Sequence, residues 1–177
     1  MLLKDKVVIV SGIGPGLGQE LSTLVAKEGA SAVVLAARTA AKLDVAEQEI
    51  RALGLGTAVL KVPTDIADEA QCKALADRAV QEFGRIDVLF NSAYDPGSFE
   101  PIEEASMDGW RRAMDVNFFG TMHLTQACVR HMKNSGGGAI VMIATMVEHK
   151  PLATQAGYGS SKSALRCATK HLALELG

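Results

Sequence analysis

Apolar residues along the chain fall into two alternating patterns. Continuous runs at Lys6 to Ser11, Ala32 to Ala37, Thr57 to Val62, Ile86 to Asn91 and Ala139 to Thr145 are rich in Val, Ile and Leu and have the length of strands. Between them, apolar residues recur three and four positions apart. Leu21, Leu24, Val25 and Glu28 keep helical spacing up to Gly29. Leu43, Ala46, Ile50 and Leu53 share one face of a helix over Ala41 to Leu53 that stops at Gly54. Asp68 to Phe83, Met107 to Lys133 and Ala156 to Leu176 complete the alternation, and the second of these is long enough to contain a break. Apolar strands joined by helices predict a parallel sheet covered on both faces, because a parallel connection must cross over. The predicted fold class is α/β, a three-layer doubly wound parallel sheet, with its chemistry beyond the carboxyl ends of the strands.

Composition narrows this picture. A chain of 177 residues, 48% of them hydrophobic, fills one sizeable core but hardly two, so residues 1–177 are read as one domain. A formal net charge of -2 gives no electrostatic footprint for nucleic acid or an anionic membrane, and a small-molecule partner is expected instead. Cys72, Cys128 and Cys167 are odd in number and widely spaced, which supports neither a disulfide framework nor a zinc motif. His123, His131, His149 and His171 lack metal-ligand spacing, so no metal is expected. No secretory leader is recognised, and no apolar run approaches the ~18 residues of a membrane span. The chain is therefore read as cytoplasmic.

Candidate chemistry sits at the predicted strand ends. The first strand runs into Ser11-Gly12-Ile13-Gly14-Pro15-Gly16-Leu17-Gly18 and then a helix. Unpaired N–H groups at a helix start attract phosphate, and glycines let it approach the backbone, so this reads as a dinucleotide loop. The second strand ends in Arg38-Thr39 without a carboxylate. Arg38 suits the extra phosphate of NADP(H), with Thr39 adding a hydroxyl, and NADP(H) is preferred over NAD(H). The alternative for Arg38 is a solvated surface charge. Tyr158 and Lys162 stand one helical turn apart on one face. An ammonium beside a phenol favours the ionised form, which suits a tyrosine to proton transfer near neutral pH. Taken alone, the pair reads first as an ordinary helix-surface contact.

The glycine loop, Thr64-Asp65-Ile66 after the third strand, Asn91-Ser92-Ala93, Asn117, the fifth strand and Tyr158-x-x-x-Lys162 follow in an order that resembles the short-chain dehydrogenase/reductases. The resemblance covers essentially the whole chain. It implies a Rossmann fold and reversible hydride transfer between a nicotinamide cofactor and a carbonyl or secondary alcohol. Tyr158 would be the general acid/base, and Lys162 would tune it and grip the nicotinamide ribose. Asp65, next to Ile66, would sit beside the adenine. Asn91 and Ala93 would lie under the cofactor, and Asn117 would hold a water linking Lys162 to solvent. The ordinary alternatives are that Asp65 caps the following helix and that Asn117 bonds neighbouring backbone.

Where the family has a serine that binds the substrate oxygen, this chain has Thr145. Threonine keeps the donor hydroxyl but adds a methyl that restricts its rotamer; the alternative is a plain β-branched strand residue. The family's Asn-Asn-Ala-Gly segment is Asn91-Ser92-Ala93-Tyr94 here, which places a ring near the expected nicotinamide. The three-residue gap between Tyr158 and Lys162 resembles carbonyl reductases rather than enoyl reductases. The resemblance also implies a homodimer or homotetramer built through the helices after strands four and five, and two further strands beyond Gly177. The domain is accordingly expected to be incomplete at its C-terminus. A second functional reading is a catalytically degenerate nucleotide-binding sensor or interaction subunit.

Overall fold

The computed structural model describes residues 1–177. Five strands, β1 (Val7–Ser11), β2 (Ala32–Ala37), β3 (Ala58–Pro63), β4 (Val88–Asn91) and β5 (Ala139–Met142), form one sheet in the order β3-β2-β1-β4-β5, and every pairing is parallel. The crossovers are α1 (Leu17–Lys27), α2 (Ala40–Ala52), α3 (Glu69–Phe83) and the pair α4 (Met107–Met114) and α5 (Thr121–Asn134). The last helix is α6 (Ala156–Leu176).

Side-chain alternation divides the core into two layers. Val8, Val10, Val33 and Leu35 pack with Val25, Leu43 and Ile50 under α1 and α2. Ile9, Val34 and Leu89 point the other way, onto Leu75, Leu124 and Cys128 of α3 and α5. Both faces of β1 and β2 are therefore covered, which is why their sequences read as continuous apolar runs. Truncating a fully buried residue at this centre, such as Leu89, carries a cavity cost of about 2–5 kcal/mol. No helix is long and apolar enough to cross a membrane.

The element order agrees with the hydrophobic pattern, and the ends differ where that pattern is silent. The first helix begins at Leu17, before its first periodic apolar residue, because Gly16 takes φ +100° and turns the chain into it. The stretch from Met107 to Lys133 does contain a break: a π-helix, Asp115–Gly120, separates α4 from α5. The fifth strand ends at Met142, three residues short of Thr145, and a 3-10 turn follows at Met146–Glu148. Thr145 thus lies outside the strand. The cap of α3 is Asp68, whose carboxylate accepts from the Gln71 N–H at 3.1 Å, and not Asp65.

The strand order reverses between β1 and β4, whose carboxyl ends pair Ser11 with Asn91. A crevice opens outside a parallel sheet at such a point.

Candidate active site

That crevice holds a cleft of about 420 Å³, lined by residues from all five strand ends, the π-helix and α6. Its floor is the glycine loop. Gly12 has φ +87°, and a Cβ there would collide with the Ala93 backbone. A Cβ on Gly18 would collide with the Gly12 carbonyl. Gly12 and Ile13 donate to the Ala36 carbonyl at 2.8 and 3.2 Å, which ties the loop to β2. Ser11 is buried behind it, donating to the Phe90 carbonyl at 3.3 Å, while Gly16 caps α1 and Leu17 and Gly18 border the cleft. A glycine-rich floor facing a helix start fits the pyrophosphate of a dinucleotide.

Beyond β2, exposed Arg38, Thr39 and Lys42 line the cleft. Thr39 caps α2 with no side-chain bond, and the first turn of that helix carries no acid. Lys42 reaches back over the loop, its Nζ 3.6 Å from where a Gly14 Cβ would stand. A helix start flanked by two cations and a free hydroxyl suits a further phosphate. Sequence reading missed Lys42, because a lone lysine one turn into a helix reads as a solvated charge.

Beyond β3, Thr64, Asp65 and Ile66 line the cleft. The Asp65 carboxylate accepts from the Ala67 N–H at 3.0 Å, which holds the turn. Beyond β4, Ser92, Ala93 and Tyr94 reach it, while Asn91 stays buried and donates to Thr125 Oγ1 at 3.1 Å. Fully buried Asn117 lies behind this segment. Its Oδ1 accepts from the Asp95 N–H at 2.8 Å, and its Nδ2 donates to the Asp95 carbonyl at 2.8 Å and to Ser161 Oγ at 2.9 Å. One amide thus joins the post-β4 loop to α6.

Tyr158 and Lys162 project from α6 into the same cleft, so they are not a surface contact. Gly157 lets α6 begin against the Trp110 ring, where a Cβ would stand 2.9 Å from the indole, and this assigns Trp110 to packing. Lys162 is 2% exposed and donates from Nζ to the Ile143 carbonyl at 2.8 Å. Burial lowers its pKa to about 8, against a smaller opposing effect of the Glu148 carboxylate. Glu148 lies 3.7 Å from Arg166 Nε. Thr145 does not line the cleft; its Oγ1 accepts from the Val147 N–H at 3.3 Å. Ser11, Asn91 and Asn117 are buried behind the lining, and exposed Gly16 lies just outside it. No cluster of side chains that could hold a metal ion is present.

The fold and the cleft define a doubly wound α/β domain with a tyrosine and a lysine in the cleft at its topological switch point. The profile of the short chain dehydrogenase family matches residues 6–177, and the chain belongs to that family of oxidoreductases. An uncharacterized oxidoreductase of Methylorubrum extorquens is 37% identical over 176 residues, covering 98% of this chain and 68% of the relative. The 7alpha-hydroxysteroid dehydrogenase of Escherichia coli is 35% identical over 175 residues, covering 99% and 67%. The solved structure of an NAD+-bound xylitol dehydrogenase superposes with a TM-score of 0.94 at 31% identity, covering 99% of this chain and 66% of that one. The chain thus spans about two thirds of the length of the relatives it matches.

Proposed function

We propose that this chain transfers a hydride reversibly between NADP(H) and a carbonyl or secondary-alcohol carbon, with Tyr158 as general acid/base. The observation that carries this reading is the convergence of Tyr158 and Lys162 with the glycine loop in one cleft. The bound nicotinamide would supply or accept the hydride. Tyr158 delivers a proton to the carbonyl oxygen, or removes one from the alcohol, and is worth about 10²–10⁴-fold in rate. Lys162 holds the nicotinamide ribose and brings its ammonium into the cleft that Tyr158 lines. It spends one N–H on Ile143, which leaves two for these tasks. Thr145 stands outside the cleft lining, but accepting from Val147 fixes its Oγ1 and leaves its own proton free to donate to a substrate oxygen that reaches past that lining.

Asn117 keeps the post-β4 loop and α6 in register and, through a water, links Lys162 to solvent. Gly12, Gly16, Leu17 and Gly18 bear the pyrophosphate, with Ser11 behind them. Asp65 and Ile66 flank the adenine, and Asn91 and Ala93 support the nicotinamide. The cofactor preference rests on Arg38, Thr39 and Lys42 around the start of α2. NADP(H) favours reduction as the working direction. The substrate is a small molecule, and the protein works as a homodimer or homotetramer. A groove of about 330 Å³ between Met107, Trp110, Met114 and Phe119, bordered by Arg111 and Asp115 and with Met107 and Phe119 half exposed, supports self-association through this helical face.

Titrating NADPH and NADH by fluorescence tests the reading. NADPH should bind more tightly, and Arg38→Ala and Lys42→Ala should each weaken NADPH by about tenfold or more with little effect on NADH. Tighter binding of NADH would refute the NADP preference. Binding of neither would refute the enzyme.

A further inference from the structure

We propose that Tyr94 is the substrate-selecting wall of the site, and that its ring favours carbonyl compounds carrying a flat apolar ring over short hydroxylated ones. This rests on the hydride-transfer reading above and names its substrate class. Tyr94 lines the cleft beside Tyr158, with ring centroids 6.4 Å apart and planes at 67°, an edge-to-face contact. That contact uses only part of the ring, for Tyr94 is 62% exposed. The rest of it faces open space at the end of the cleft where proton transfer is placed.

The backbone that carries this ring is anchored on both sides. Ala93 abuts Gly12 so closely that no side chain fits between them. Asp95 is clamped by both polar atoms of the Asn117 amide, and its carboxylate accepts from the Gly97 N–H at 2.7 Å. A large aromatic held open on an immobilised backbone loses little freedom on meeting a ligand, so the contact is preorganised. Ala93, Val116 and Ile143 add apolar lining to the cleft that Tyr94 and Tyr158 share, and the exposed side chain of Met146 follows Thr145 directly. Such walls offer a flat ring stacking and edge contacts. They offer a chain of hydroxyls few partners once Tyr158 and Thr145 are engaged on the reacting oxygen.

The test compares kcat/KM for 1-tetralone, a bicyclic aryl ketone, with that for hydroxyacetone, in the unsubstituted protein, Tyr94→Ala and Tyr94→Phe. The unsubstituted protein should prefer 1-tetralone. Tyr94→Ala should cut that preference by about tenfold, the upper end of what one aromatic contact supplies, mainly through KM. Tyr94→Phe should retain it, because the ring acts and not the hydroxyl. An equal fall in kcat on both ketones would reduce Tyr94 to a support for Tyr158 and overturn the proposal, as would an initial preference for hydroxyacetone.

Saturation-transfer NMR of 1-tetralone with NADP+ present gives a second readout without turnover. If no ketone is reduced but 1-tetralone binds and Tyr94→Ala abolishes the signal, the reductase reading fails and the ring contact stands. Equal signals from Tyr94→Ala and the unsubstituted protein, or none from either, overturn the ring contact.

Discussion

Lys162 is an ammonium held almost out of water, and that fixes how stability depends on pH. Burial lowers its pKa from 10.5 to about 8 in the folded protein. Between these values the unfolded chain binds the extra proton, so stability rises with pH across that window. At neutral pH both states are protonated and the folded state carries the full cost of the buried charge. Lys162→Met should remove that cost. The stability difference, substituted minus unsubstituted, should therefore shrink by about 3 kcal/mol as pH rises from 7 to 10.5. Urea unfolding at several pH values measures it; a difference independent of pH would show that Lys162 is solvated. Cys72 and Cys128, whose thiols burial pushes up to about 12, act in the opposite sense above pH 9. Both proteins carry them, so their effect cancels in the difference.

Among the elements, the π-helix at Asp115–Gly120 has the most consequence for the site. A π turn is wider than an α turn and is tolerated where it serves a purpose. Here it holds Asn117, whose amide joins the post-β4 loop to α6. Asn117→Ala should cost about 1–3 kcal/mol, because the half-buried Asp95 N–H and carbonyl and the buried Ser161 hydroxyl lose their partner. Asn117→Asp should fare no better, since a carboxylate cannot donate to the Asp95 carbonyl. Urea midpoints at constant m-value would check both, and full stability in either variant would refute the strut.

This element also marks where sequence reading stopped. The strands and the interiors of most helices were legible because burial imposes a period on apolar residues. Within Met107 to Lys133 that period persists through Val116, Phe118 and Leu124, so a break could be allowed for but not placed. Arg38, Tyr158 and the glycine loop were legible from their position at strand ends or their spacing. Thr145 was placed in the fifth strand because β-branched composition does not mark where pairing stops. Lys42 and the meeting of Tyr94 with Tyr158 left no local trace, because they arise from residues brought together by the sheet order.

For the whole molecule, the exposed apolar face of α4 and the π-helix predicts association between copies. Sedimentation should show a dimer or tetramer, and Phe119→Glu combined with Met107→Glu should shift it to monomer, because a charge on each side of the groove must be desolvated on contact. An unchanged distribution would move the interface elsewhere.

The Gly12–Ala93 contact has a consequence in time. The two segments it joins are about eighty residues apart, and the tyrosine that serves the cleft comes some sixty-five residues later still. A ribosome releases these parts in that order. The nascent chain therefore completes the floor of its cleft when β4 docks beside β1, well before α6 is available. A ligand that binds this floor would from that moment stabilise the half-built sheet by mass action.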